Sequence, residues 1–145
     1  MHRLVLSPEL QKLLTQTSSE LPSQVDVDGA LAAILRLQRV YNLSTSQIYA
    51  GNYSGYTGPV LSPLDAYAIG REGFTAGMLD QSEEWLRLAT TEMQKAREKT
   101  SADFSPDSGT NLGFTEAERA AAIALLGRVY KFVSILYHFF LCFQD

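Results

Sequence analysis

A helix start is written at Ser62-Pro63-Leu64-Asp65, and where that helix must stop constrains much of the chain around it. Ser62 is a natural N-cap. Pro63 suits the first helical position, where its missing N–H would have no intrahelical partner, and Asp65 places a carboxylate over the unpaired amides of the first turn. The pattern predicts a helix to about Phe74, with Gly77 permitting a reversal. Asp80 and Glu83 open a second helix. Its apolar face carries Trp85, Leu86, Leu88, Ala89 and Met93, and it closes in the charged stretch Lys95 to Lys99.

Small residues sharpen the expectation. Gly70, Gly77 and Ala89 stand at the offsets of the tetratricopeptide pattern, in which small side chains let two antiparallel helices approach closely. Leu126-Gly127-x-x-Tyr130 matches the first helix of a second such unit. The residues after it, from Phe132 to Phe143, are apolar on all sides where an amphipathic partner helix would stand. The expectation is an incomplete array with an alternative or truncated C-terminus. That run is also shorter than the roughly 20 residues a bilayer-spanning helix needs, so no membrane contact is expected from it.

Upstream, Ser7-Pro8 predicts a short helix to Gln16, ended by Ser18 to Pro22. Ser23 and Asp26 start a longer one. Its apolar positions include Val27, Ala30, Leu31, Ile34, Leu35, Leu37, Val40 and Tyr41, with Arg36, Gln38 and Arg39 on the opposite face. Ser44 and Gln47 predict a capping box on a short turn stopped by Gly51. Residues 51–59 are a loop by composition, and Thr100 to Gly113 another. Thr115 and Glu118 cap a last helix reaching at least Tyr130. With no strand alternation, the predicted fold class is all-α: helical hairpins of tetratricopeptide-like type preceded by N-terminal helices. The division expected is 1–51, a linker at 52–61, and 62–145, divergent after about 131.

A hydrophobic fraction of 46% and a charged fraction of 19% in 145 residues support a packed core. Net charge is −4 and the 12 basic residues are scattered, which argues against nucleic acid. Catalytic chemistry finds little footing. The two histidines, His2 and His138, lie at opposite ends of the chain, and neither begins a His-x-Asp pair of the kind a facial iron triad uses. One cysteine, Cys142, gives no zinc motif and no internal disulfide. No catalytic or metal-ligating residue is assigned.

Two stretches carry a family resemblance. Leu21-Pro22, Asp26-Val27-Asp28-Gly29-Ala30 and Arg36-Leu37-Gln38-x-x-Tyr41-x-Leu43 resemble the end of the N-terminal dimerisation region of the collagen prolyl 4-hydroxylase alpha subunit. Gly51-Asn52, Leu61-Ser62-x-x-Asp65-x-Tyr67-x-Ile69-Gly70, Gly77 and Trp85-Leu86-x-x-Ala89 resemble the peptide-substrate-binding domain that follows it. The resemblance covers residues 21 to 95. It implies residence in the endoplasmic reticulum lumen and pairing with a second alpha subunit and with protein disulfide isomerase. It also implies a parent procollagen-proline 4-dioxygenase that uses iron, 2-oxoglutarate and ascorbate in a catalytic domain not found in this sequence. The function expected here is the non-catalytic one: holding a proline-rich or collagen-like peptide and supporting subunit assembly. A free-standing tetratricopeptide-like adaptor is the alternative.

Site residues follow from these readings. Proline-rich chains adopt polyproline II, which docks on aromatic side chains at low entropic cost. Tyr67 and Phe74 share a face of their helix, with Arg71 between them able to donate to peptide carbonyls, and Tyr130 lies on the helix expected beside it. Leu31, Ile34, Leu35 and Tyr41 are the dimerisation candidates, with packing on the chain's own helix pair as the alternative. Asn42-Leu43-Ser44 and Asn52-Tyr53-Ser54 are glycosylation sequons at Asn42 and Asn52.

Overall fold

The computed structural model describes residues 22–53, 55–102 and 113–142, together with Glu9 and Lys12; for residues 100–102 and 138–142 it describes the backbone alone. The expected helix at Ser7–Gln16 lies outside this set apart from Glu9 and Lys12, which are helical. The fold is all-α with one small hairpin: α1 (Gln24–Tyr41), α2 (Thr45–Tyr49), β1 (Asn52–Tyr53), β2 (Tyr56–Thr57), α3 (Pro63–Thr75), α4 (Leu79–Ala102) and α5 (Glu116–Cys142). The chain divides into compact units 1–30 and 31–145, so the linker expected at 52–61 falls inside the second unit.

In the first unit, Asp26 Oδ2 accepts from the Ser23 amide at 2.9 Å and from its hydroxyl at 2.7 Å, closing the expected start of α1. In the second, Ser62 Oγ accepts from the Asp65 amide at 3.1 Å while Asp65 Oδ2 accepts from the Ser62 amide at 2.8 Å, a reciprocal capping box. α3 ends as its sequence demands. Gly77 takes a left-handed φ of +73°, its amide donates to the Phe74 carbonyl, and the Met78 amide donates to the Gly73 carbonyl at 2.8 Å. That pair of reverse bonds satisfies two carbonyls the helix end would leave open.

α3 and α4 approach closely because glycine allows it. A Cβ on Gly70 would stand 2.8 Å from Leu86 Cγ, and one on Gly73 would stand 3.3 Å from Ser82 Cα. Ser82, itself buried, donates its hydroxyl to the Gly70 carbonyl at 2.7 Å. α4 is the hub of the unit. Trp85 and Ala89 pack with Leu31 and Leu35 of α1 and with Ala66 and Ile69 of α3. Leu86 meets Leu125 and Val129 of α5, and Met93 meets Phe114 and Ala122. The buried positions 82, 85, 86, 89 and 93 trace one helical stripe.

Three expectations are corrected. Gln38, assigned to the solvent face of α1, is only 4% exposed. Its Oε1 accepts from Trp85 Nε1 at 2.7 Å and its Nε2 donates to Thr45 Oγ1 at 2.7 Å. The Thr45 hydroxyl donates in turn to Glu84, and the Gln81 amide donates to the Leu35 carbonyl at 2.8 Å, so polar bonds as well as apolar contacts tie α1 to α4. Second, the Ser44–Gln47 capping box does not form. Ser44 makes no side-chain cap bond and its hydroxyl pairs with that of Ser46. Third, the loop at 51–59 contains a two-stranded antiparallel ladder, Asn52 opposite Thr57 and Tyr53 opposite Tyr56, with the two tyrosine rings stacked at 5.8 Å. Gly51 at φ +68° and Gly55 at φ +80° make the tight returns possible.

α5 keeps to the expectation of a helix reaching at least Tyr130 and extends it. It starts where expected, with Thr115 Oγ1 and Glu118 in reciprocal bonds. It then runs without a break through the apolar segment to Cys142. Among the described residues, the stretch Glu116–Tyr137 is long and apolar enough to cross a membrane, whereas the length test on Phe132–Phe143 alone had failed. By residue it is a mixed helix: Arg128 and Lys131 interrupt it, and Ala122, Leu125 and Val129 are buried against α4.

Candidate functional site

Tyr67, Arg71 and Phe74 fall on one face of α3 because they are spaced four and three residues apart, one turn each. That face looks across a cleft of about 350 Å³ to α5, whose Ala121, Ala124, Leu125 and Arg128 form the other wall. These α5 positions follow the same helical spacing. Ala121 and Ala124 are exposed and small, and it is their lack of bulk opposite two aromatic rings that leaves the cleft open.

The two rings are held differently. Tyr67 is partly buried and touches all three core clusters, so its ring is fixed by packing, while its hydroxyl makes no hydrogen bond to any described residue. Phe74 is also partly buried. It packs with the cluster around Leu86 and meets the Phe132 ring edge to face at 5.8 Å, so it serves the helix seam and the cleft together. Arg71 and Arg128 are exposed. Arg128 was not anticipated from the sequence. Its signal was present, since the Thr115 start sets the register that puts 121, 124, 125 and 128 on one face, but only the partner helix identifies that face as a wall.

Tyr130 does not line this cleft. It lies two residues past Arg128, about 200° around the helix, and its hydroxyl accepts from Arg87 Nη2 of α4 at 3.1 Å. Arg87 also pairs with Glu83, and these partners, Tyr130 foremost, push the guanidinium further above its ordinary range. Tyr130 thus joins α4 to α5 outside the lining of the cleft.

Of the pairing candidates, Leu31 and Leu35 are buried in the chain's own core, Ile34 is partly buried against it, and Tyr41 is 67% exposed. Asn42 is exposed at the end of α1 with φ +49°, and Asn52 is exposed on β1. Ser54 of the second sequon and His2 lie outside the described residues, as does the side chain of His138. No cluster of three or more His, Cys, Asp or Glu side chains suited to a metal occurs among the described residues.

Two other hollows differ from this cleft in their lining. A cleft of about 720 Å³ lies between Asn42–Ser46 and α4, but its charges are matched internally: Arg87 with Glu83, Lys95 with Glu92, and Glu84 with the Thr45 hydroxyl. A hollow of about 210 Å³ among Ile34, Leu37, Ile48 and Pro59 is apolar. The α3–α5 cleft alone among the three combines aromatic faces with cations that have no carboxylate beside them in the lining.

Comparison with known proteins supplies a relationship. Residues 4–55 match the family described as prolyl 4-hydroxylase alpha-subunit, N-terminal region. Over 88 residues, 60% of the chain, it is 31% identical to prolyl 4-hydroxylase subunit alpha-1 of Mus musculus and 31% identical to that of Homo sapiens. The chain spans 16% of the length of these relatives.

Proposed function

We propose that the chain, which over part of its length is similar to the prolyl 4-hydroxylase alpha subunits, holds proline-rich, collagen-like peptide in the α3–α5 cleft. The observation that carries this is the convergence of Tyr67, Arg71 and Phe74 on one wall of a single open cleft. A polyproline II strand offers pyrrolidine rings to aromatic faces and unpaired carbonyls to guanidinium donors, and it loses little entropy on binding because it is already extended. The cleft supplies both kinds of partner. Two aromatic contacts make a weak site, with Kd on the order of a millimolar, or about 4 kcal/mol.

The test is a titration of the chain with a (Pro-Pro-Gly) repeat peptide, followed by NMR. Saturable shifts are expected at Tyr67, Arg71 and Ala124 but not at Tyr130. Ala124→Leu, which fills the cleft from an exposed position on α5, abolishes them while the α4 resonances stay in place. An absence of shifts at several millimolar peptide overturns the proposal.

Residence in the endoplasmic reticulum lumen belongs to the same proposal. Its support is that both sequon asparagines are exposed. Expressed through a secretory pathway, the chain gains glycosidase-sensitive mass that falls stepwise in Asn42→Gln and Asn52→Gln. Unmodified protein in that compartment removes the glycan assignment.

A further inference from the structure

Arg71 stands on the α3 wall of the cleft and Arg128 on the α5 wall, and no Asp or Glu lines the space between them. Neither arginine forms an ion pair with any described residue. The contrast with the larger cleft is direct. There Arg87 and Lys95 are each met by a carboxylate one turn away on α4, so that cleft's field is locally cancelled. In a chain of net charge −4, an uncancelled pair of cations facing each other across aromatic and alanine surface is a local reversal of sign.

Donation to peptide carbonyls would use these guanidinium groups only partly. A carbonyl accepts equally from neutral donors, whereas a guanidinium fork matches a carboxylate in both charge and geometry. The apolar walls strengthen this, because a charge pair formed beside aromatic surface is screened less than one formed in open water. We infer that the cleft selects, among proline-rich strands, those bearing an Asp or Glu side chain that Arg71 and Arg128 clamp from either wall. This rests on the peptide-holding function proposed above and adds a substrate class to it.

The experiment compares three peptides of one proline-rich framework on the full chain: a neutral repeat, the same repeat with one central Glu, and the same with Lys at that position. The Glu peptide binds about threefold to tenfold more tightly than the neutral one, the scale set by one partly desolvated ion pair. The Lys peptide binds more weakly than either. The Glu advantage disappears in Arg128→Gln and shrinks in Arg71→Gln, and it falls as salt is raised. Both arginines are exposed, so the variants keep the fold. Equal affinity for the Glu and neutral peptides, or a Glu advantage that survives Arg128→Gln, overturns the acidic selectivity while leaving the peptide cleft standing. Binding of none of the three removes the cleft itself and the selectivity with it.

Discussion

A glutamine inside an apolar seam must satisfy both ends of its amide, and Gln38 does so with Trp85 on one side and Thr45 on the other. Replacing it with leucine is nearly isosteric in bulk but removes the oxygen that accepts from the indole N–H. An unsatisfied buried donor costs about 1–3 kcal/mol. The prediction is that Gln38→Leu destabilises the chain by that amount in urea unfolding, with the m-value unchanged; a variant as stable as the parent would show that the indole finds another acceptor. The sequence offered Gln38 only as a polar residue between two arginines, and residue type put it on the wet face. Its burial depends on Trp85 arriving from α4, and that long-range partner leaves no local trace. Arg128 was missed in the same way: it is legible as a helix residue, but not as the wall of a cleft.

Helix starts, by contrast, were legible at three places among the described residues where a hydroxyl and a carboxylate stand three residues apart. Ser23 with Asp26, Ser62 with Asp65 and Thr115 with Glu118 all form, because cap chemistry is local. The Ser44–Gln47 pair did not form, and the Ser44 hydroxyl pairs with that of Ser46 instead. Where helices end was less legible. α4 continues past its charged stretch to Ala102 and α5 passes Tyr130 without a stop, since neither place carries a glycine or proline to break the helix. The Ser23 cap also makes a pH prediction. Hydrogen bonds from Ser23 hold the Asp26 carboxyl below its usual range, so its folded pKa lies below its unfolded one. The contribution is present above the unfolded pKa and is lost as pH falls through the folded value. The protection of the first-turn amides of α1, taken relative to their intrinsic exchange rates, should therefore fall on acidification below about pH 4. In Ser23→Ala that protection should be low already at neutral pH. Protection that stays constant with pH in the parent would mean that the cap does not hold the turn.

At the scale of the molecule, the composition shift at 52–61 reads as a linker, yet the packing runs straight across it. Leu31 and Leu35 of α1 are buried with Ala66 and Ile69 of α3 and with Trp85 and Ala89 of α4, and Gln38 bonds to the indole in the same place. A hairpin of two helices cannot bury both faces of α4. α5 covers one and α1 covers the other, so residues 31–51 belong to the fold of the helices that follow. This is why the glycine- and tyrosine-rich loop misleads: turn residues mark where the chain reverses, and they do not tell a reversal within a core from a joint between two cores. The consequence can be measured with the single tryptophan of the chain. Trp85 is fully buried, and Leu31, Leu35 and Gln38 form the side of its pocket that α1 provides. A fragment of residues 62–145 loses that side and leaves the indole N–H without its acceptor. Its Trp85 emission should shift to the red relative to the full chain, and thermal unfolding should become broad and less cooperative. A fragment of residues 31–145 should keep both properties. If 62–145 retained buried-type emission and a sharp transition at the temperature of the full chain, α1 would be an ornament on an independent helical hairpin, and the boundary drawn from composition would stand.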